Sequence, residues 1–442
     1  MTTVYLLALA LMFLYVYWCL PDKYRQYLIL LGNGSLFLFF DWRFFFLHLL
    51  SAAINYTAAL NVEKSRKTSV VVAVGVVVFN FLFVFIHKWQ ATQLPGYLIP
   101  IGVSYYTFVN LGYFLEVLRR EEQPVKSFKD FYLFSAFFPC TMMGPIERLK
   151  NLLPQLKSAK VWNTHKAFEG VFLILLGAFK KLVIADRLYD LANRSNNNAD
   201  LFHGLSLWFF FFMCLLQIYC DFSSYVDMAR GFAKLLGVDL SLNFDRPYLA
   251  KSVPEIWQRW NITLVSWLRQ HIYVPVMLKT KSIHIATFVV MLLIGMWHAV
   301  SWQLFLWSVY WTILYAFYYQ FRVRGWRPLR HVAVQRLMMI FLMSLSTLFF
   351  MAQSAEQLKT MLLNLLKLDG TFAPLQVGFT AQNPIFPICL IATAVMLAFE
   401  SQTPEKLQKR SLYTLLFYSL SLCFLTIVFA VSKSQAFIYM RF

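Results

Sequence analysis

Apolar runs long enough to cross a lipid bilayer recur along this chain from one end to the other, and they decide most of what it can fold into. A helix needs roughly 20 predominantly apolar residues to span the hydrocarbon. Runs of that character stand at 4–20, 27–61, 69–89, 97–118, 131–146, 168–185, 203–220, 285–321, 333–352, 384–400 and 411–431, separated by short polar connectors. The longer runs have room for two spans each. The expected fold class is therefore all-α: a polytopic integral membrane helical bundle of about ten to twelve spans, some tilted or re-entrant. Only 14% of the 442 residues are charged and 59% are hydrophobic, against about 25% charge in an average soluble domain. The first run lacks a basic leading region and a small-residue cleavage site, so it is expected to be a retained helix and not a signal peptide. No connector is long enough for a soluble domain and no fixed-period repeat is visible, which predicts one membrane-embedded domain over 1–442. The connectors 186–202, with Asn193 and Asn196 to Asn198, and 353–383 are expected to form surface loops or short interfacial helices.

The net charge of +19 would point to nucleic acid in a soluble protein. Here the basic residues sit in the connectors, where anionic headgroups attract them and where they set topology, so membrane lipids and not nucleic acid are the expected partner. Arg148, Lys150, Lys157, Lys160 and Lys166 mark an expected cytoplasmic loop. The six cysteines (Cys19, Cys140, Cys214, Cys220, Cys389, Cys423) contain no C-x-x-C pair and read as small residues within apolar runs, with no disulfide or metal framework.

Asp221 to Val276 departs from the pattern. It mixes Asp221, Asp227, Arg230, Asp245, Arg246, Glu255, Arg259 and Arg269 with aromatics and prolines. Charged or irregular backbone at membrane depth is tolerated only inside protein or beside water, so chemistry is sought here first. Asp221, Asp227 and Arg230 read as a structurally paired set.

Two polar side chains stand out. From Pro254 the sequence runs P-E-I-W-Q-R-W-N-I-T-L-V-S-W-L-R-Q-H-I-Y-V-P, and Trp257, Trp260, Asn261, Leu264, Trp267 and Leu268 share one face of a helix. Asn261 is the polar member of that stripe; it reads equally as a hydrogen bond to a neighbouring helix and as a functional amide. In M-L-L-I-G-M-W-H-A-V-S-W, His298 is the one acidic or basic side chain between His284 and Arg322. An imidazole in apolar surroundings has its charged form disfavoured and can accept a proton from a hydroxyl; the alternative is a structural histidine. His48, His87, His165, His203, His284 and His331 lie at span edges or in connectors, where a solvated or interfacial role is the default. His271 is intermediate, because it lies in the charged, aromatic region.

The pair belongs to a wider set: F-F-P-C-T-M-M-G-P-I-E-R at 137–148, Y-C-D-F-S-S-Y-V-D-M-A-R-G at 219–231, L-N-F-D-R-P-Y at 242–248, the W-Q-R-W-N…W-L-R segment, and G-M-W-H at 295–298. In order and spacing these resemble the membrane-bound O-acyltransferase family, whose hallmark is a histidine in an apolar helix with an Asn or His upstream. The likeness is greatest to the bacterial branch that O-acetylates alginate and peptidoglycan and, more distantly, to the branch that transfers D-alanine to teichoic acids. It is clear over about 95–310, the motif-bearing core, and looser beyond. Two departures concern the substrate: polysaccharide-acetylating members usually carry His where this chain has Asn261, and Gln270 and His271 stand where Asp and Tyr are common.

The resemblance implies an O-acyltransferase that moves a short acyl group, acetyl first among candidates, to a hydroxyl of a cell-surface polysaccharide. A partner transferase or acyl-carrier protein that completes the transfer is the other possible receiver. It implies no bound cofactor; acetyl-CoA or another acyl thioester is the co-substrate, reaching an enclosed acyl-transfer tunnel from the cytoplasmic side of the cell (cytoplasmic or inner) membrane. His298 would then be the base, and Asn261 would orient the donor or hold the developing oxyanion. Trp257, Trp260, Trp297 and Trp302 are candidates for the tunnel wall, with plain aromatic packing as the rival role. Arg259 and Arg269 are candidate contacts for donor phosphates, against a solvated or ion-paired role, and His271 is a further candidate for substrate binding. Rival functions are acylation of a lipid or protein hydroxyl, a transporter or flippase with buried charges on its path, and a scaffold without turnover.

Overall fold

Within hydrocarbon, backbone N–H and C=O groups must find partners inside the protein, and consecutive apolar residues achieve this by coiling into helices. The computed structural model describes residues 2–62, 66–93, 99–189, 192, 203–325, 331–367, 385–402 and 404–431. Among them the chain is helical nearly throughout and contains no strand, the one extended pairing being an isolated bridge between Phe244 and Trp260. Five of the described helices are long and apolar enough to cross a membrane: Trp42–Val62, Val70–Lys88, Gly204–Leu235, Val332–Met351 and Leu412–Phe429. Shorter apolar helices occupy Ala8–Cys19, Ile283–His298 and Pro387–Glu400. This is the architecture of a polytopic helical membrane protein.

The two longest apolar runs each fold into two helices, and polar residues make the breaks. Run 27–61 divides at Asp41, whose carboxylate accepts the Arg43 backbone N–H at 2.8 Å and so starts helix Trp42–Val62. Run 285–321 divides after His298, and Ser301 restarts the chain by accepting the Leu304 N–H at 3.3 Å as the cap of helix Trp302–Val323. Of the connector 353–383, residues Ala355–Leu365 form a helix capped by Ser354, while 368–383 lie outside the described residues. The connector 186–202 is described only at 186–189 and 192. The six cysteines all carry free thiols, Cys19 exposed and Cys140, Cys214, Cys220 and Cys389 buried.

The contacts divide the chain into two compact units. The first comprises Met1–Ile174, Val226–Ser241 and Arg410–Phe417. Phe37, Phe44, Ile101, Val103 and Tyr106 form a core cluster in it. A chain of polar groups also runs through it. His48 lies within 3.3 Å of the Tyr132 hydroxyl and 3.2 Å of Ser135 Oγ, Ser135 donates to Asn110 Oδ1 at 2.6 Å, and Asn110 donates to Ser51 Oγ at 3.2 Å. His48 is 0% exposed, which corrects its expected interfacial setting: neighbours distant in sequence supply its polar partners.

The second unit comprises Leu175–Tyr225, Leu242–Lys409 and Tyr418–Phe442. Leu207, Phe210, Phe211 and Cys214 pack there against Leu348 and Met361. The same unit holds a buried charge cluster: Lys181 pairs with Asp221 at 2.6 Å and Asp186 at 2.9 Å, while Lys180 pairs with Glu400. Glu400 also accepts the hydroxyls of Tyr219 and Tyr248 at 2.7 and 2.8 Å. Asp221 thus has its partner 40 residues upstream. Sheltered in this way, it does not interrupt its helix. Gly204–Leu235 runs 32 residues, roughly 48 Å at 1.5 Å per residue, so residues 221–235 extend a span helix. The irregular region begins later than the charge pattern suggests, at Gly237 with φ +74°.

Candidate active site

The site is built around a break in what the apolar spacing predicts as one helix. Ser252 caps and Pro254 opens helix Val253–Arg259, proline being tolerated in a first turn where its missing N–H has no partner to lose. The helix stops at Arg259. Trp260 is extended (φ −109°, ψ 124°) and Asn261 is left-handed (φ 46°, ψ 50°), after which a second helix runs Ile262–Leu268. Asparagine is among the few side chains that tolerate this conformation. Phe244 holds Trp260 through the bridge and an edge-to-face contact with ring centroids 5.2 Å apart, and Tyr219 lies 5.9 Å from the same ring.

The second half of the site is the hairpin of helices Ile283–His298 and Trp302–Val323. They cross at Gly295, where an added Cβ would sit 2.5 Å from Ser308 Oγ and 2.7 Å from the Leu304 carbonyl oxygen. Only glycine admits that approach. Ser308 Oγ ties the two helices together by donating within 3.0 Å of the Met291 carbonyl and 2.8 Å of the Leu304 carbonyl. His298 is the last residue of its helix and 8% exposed. Its imidazole meets Phe350 edge-on at 5.1 Å and lies 6.5 Å from Trp307.

Asn261 and His298, 37 residues apart in sequence, line one cavity. Trp257, Trp260, Leu264 and Val265 come to it from the broken helix, Ile294, Trp307 and Trp311 from the hairpin, and Met343, Ser346, Phe350 and Met351 from the helices Val332–Ser346 and Leu348–Met351, with Thr347 at the junction of the two. The cavity has about 80 Å³ of room for the centres of water molecules, several times the roughly 10–15 Å³ that one water needs. Its walls are apolar apart from a few groups. Asn261 Oδ1 and the indole Nε1 atoms of Trp257 and Trp311 are buried without a hydrogen-bond partner among the described residues. Orphaned groups of this kind are rare in native structures and call for an explanation; a polar ligand in the cavity supplies one. By contrast, the Ser346 and Thr347 hydroxyls donate to the backbone carbonyls of Met343 and Ser344, both at 2.7 Å.

The other candidates from the sequence stand apart from the cavity wall. Arg259 pairs with Glu255 at 2.9 Å and with Asp245 at 2.8 Å. Arg269 is exposed. His271 is buried in a π-helical turn, its ring 4.7 Å from Trp267. Trp297 packs 4.6 Å from His298, and Trp302 is 75% exposed. Sequence reasoning passed over Trp307, Trp311, Phe350 and Asn243. Trp307 and Trp311 carried a signal, the i, i+4 spacing that puts both rings on one face of a helix; Phe350 carried none. Asn243 lies inside a quoted motif, and it holds the break in place. Its Oδ1 accepts the Thr263 N–H at 3.0 Å and the Thr263 hydroxyl at 2.8 Å, and its backbone carbonyl accepts the Ile262 N–H at 2.9 Å.

Comparison with known proteins bears on this site. The model of the membrane-bound O-acyltransferase family matches residues 5–355, a range that takes in all five motifs, Asn261 and His298. A probable alginate O-acetylase of Azotobacter vinelandii is 28% identical over 368 residues, 77% of this chain and 73% of the relative. One of Pseudomonas aeruginosa is 30% identical over 334 residues, 70% of this chain and 64% of the relative. A peptidoglycan O-acetyltransferase of Helicobacter pylori is 24% identical over 388 residues, 76% of this chain and 73% of the relative.

Proposed function

The chain belongs to the membrane-bound O-acyltransferase family, and from that premise we propose that it transfers an acetyl group from a thioester donor, acetyl-CoA in the first instance, to a hydroxyl of a cell-envelope polysaccharide. It is a multi-pass membrane enzyme, and its proposed seat is the cytoplasmic membrane, between a cytoplasmic donor and an acceptor on the other side. The observation that carries the reading is the meeting of His298 and Asn261 in one mostly apolar cavity.

In the proposed reaction the acceptor hydroxyl gives its proton to the His298 imidazole as its oxygen bonds to the acyl carbon. The carbon–sulfur bond then breaks, and the proton passes to the departing thiolate. His298 ends its helix, where the partial negative charge of the last carbonyls favours the imidazolium formed midway. Asn261, with Trp257 and Trp311 as nearby N–H donors, offers hydrogen bonds to the acyl carbonyl as negative charge develops on it, the kind of stabilisation that is worth most in a dry site. Arg259, Arg269, His271 and Trp297 remain candidates for the donor's path outside the cavity.

The test is incubation of purified protein with radiolabelled acetyl-CoA and cell-envelope fractions. Label in polysaccharide that disappears with His298→Ala supports the proposal. Label in lipid or protein moves the acceptor to those classes, and no transfer to any fraction overturns it.

A further inference from the structure

An asparagine at the N-terminus of a helix ordinarily turns its side chain back to accept a hydrogen bond from the second or third amide of that helix. Asn261 occupies this position in front of helix Ile262–Leu268 and makes no such bond. Asn243 makes it instead. Its Oδ1 accepts the N–H of Thr263, the second residue of the helix, and its carbonyl oxygen accepts the N–H of Ile262, the first. The two residues after it continue the seam: Phe244 pairs with Trp260, and the Asp245 N–H donates to the Arg259 carbonyl at 2.9 Å. Asn243 is 0% exposed, and its Nδ2 has no partner among the described residues. The side chain is therefore held for what its oxygen accepts.

We propose that Asn243 is a positioning residue for acyl transfer: by capping the helix in place of Asn261, it leaves the Asn261 amide free to meet substrate in the cavity beside His298. The proposal rests on the reading of the site given above. Its physical content is a competition. The Thr263 N–H is buried and takes an acceptor wherever one is offered, because an unmade bond there is costly. With Asn243 in place the demand is met from outside. Without it, the side chain that stands in the ordinary capping position is Asn261, and an amide turned back onto its own helix is lost to the cavity.

The experiment compares Asn243→Ala and Asn243→Asp, each alone and in an Asn261→Ala background, for kcat and KM with acetyl-CoA and for thermal stability in detergent. Asn243→Ala is expected to lower kcat by about tenfold or more, up to the roughly 100- to 1,000-fold that loss of one oxyanion hydrogen-bond donor costs, while KM changes by less than about twofold. Asn243→Asp keeps an oxygen at the capping position next to a helix N-terminus, which favours a carboxylate, and is expected to restore kcat to within about threefold of wild type. In the Asn261→Ala background the Asn243→Ala change is expected to cost less than about twofold further, because the group it protects is gone; residues that act through one another are non-additive. Multiplying effects in the double variant would overturn the proposal and leave Asn243 a structural cap. So would wild-type kcat in Asn243→Ala, or an inactive Asn243→Asp that folds. His298→Ala, run alongside, separates the layers. If it stays active, the reading of the site fails and the proposal with it; if it is dead while Asn243→Ala is not, the proposal alone fails.

Discussion

Gly295→Ala tests whether the hairpin holds His298 where the chemistry needs it. The new Cβ would stand 2.5 Å from Ser308 Oγ and 2.7 Å from the Leu304 carbonyl oxygen, against about 3.4 Å for an ordinary contact. The serine can rotate away; the backbone oxygen cannot. Relief of the second contact needs a displacement of about 0.7 Å, the gap between 2.7 and 3.4 Å, one turn before His298. Overpacking of this kind costs about 1–3 kcal/mol, and alanine returns about 0.5–1 kcal/mol of helix preference over glycine. The net loss of stability is then about 0–2.5 kcal/mol, modest for a folded domain. Catalysis is far less forgiving, since a misplacement of about 1 Å can cost about 100-fold in rate. The expected result is acetyl transfer lowered about 10- to 100-fold with a thermal midpoint in detergent that moves little. Ser308→Ala added to it is expected to rescue nothing, because the Leu304 carbonyl remains. Wild-type turnover in Gly295→Ala would refute the reasoning and mean that the hairpin does not set the position of the imidazole.

Three other perturbations address separate features. His298→Ala is expected to lower turnover by at least about 100-fold while leaving detergent stability near wild type; retention of more than about a tenth of the rate counts against a general base. Glu400→Ala removes the carboxylate that pairs with the buried Lys180 ammonium and accepts two tyrosine hydroxyls, so a loss of about 3–5 kcal/mol is expected, with much of it recovered when Lys180→Met is added. Equal stability of the single and double variants in thermal melts would contradict this. Asp239 supplies the pH test. Burial alone would raise its carboxyl, but hydrogen bonds from Lys166 and Lys234 outweigh that and hold it at about 2, below the ordinary value of about 3.9. A depressed carboxylate stabilises the fold fully above its unfolded value and loses that contribution as pH falls. The difference in thermal midpoint between wild type and Asp239→Asn should therefore be present above about pH 4 and close towards pH 2; it should be small, because the side chain is 46% exposed and screened. A difference that does not change with pH would show that the two lysines do not act through the ionised carboxylate.

Apolar run length was enough to read the membrane class and the helix pairs at 22–62 and 283–323, because in lipid the backbone has few alternatives. His298 and Asn261 were legible for a related reason: each is a polar group in an apolar setting, and such groups are rarely idle. The break between them and their neighbours was not legible. Trp257, Trp260, Asn261 and Leu264 keep helical spacing through it and line the cavity, whereas Trp267 and Leu268 of the same stripe stand apart from its wall, so periodicity grouped four lining residues under a wrong local conformation. What ends the helix is a left-handed residue and a bridge to Phe244, and periodicity detects neither. Arg259 shows a different limit. Its charge suited a phosphate or a carboxylate equally, and only the fold brings Asp245, fourteen residues earlier, against it. His48 reads in the sequence as lying at a span edge, whereas its buried setting is made by Tyr132 and Ser135 from another helix, contacts 84 and 87 residues away that sequence spacing does not reveal.

The left-handed backbone at residue 261 also acts as a filter on what selection or a protein engineer can try there. Branched side chains such as Thr and Val are strained outliers in that conformation. Glycine fits but brings no group to the cavity, and Asp fits but brings a negative charge towards what is, in the proposed reaction, an oxygen that is itself becoming negative. Asn and His are enriched in left-handed geometry and supply a neutral hydrogen-bonding group, and they are the two residues that the family resemblance associates with this position. Chemical variety at 261 is thus confined by a dihedral angle before any substrate arrives. A broader choice of side chains requires rebuilding the Trp260–Asn261 turn first.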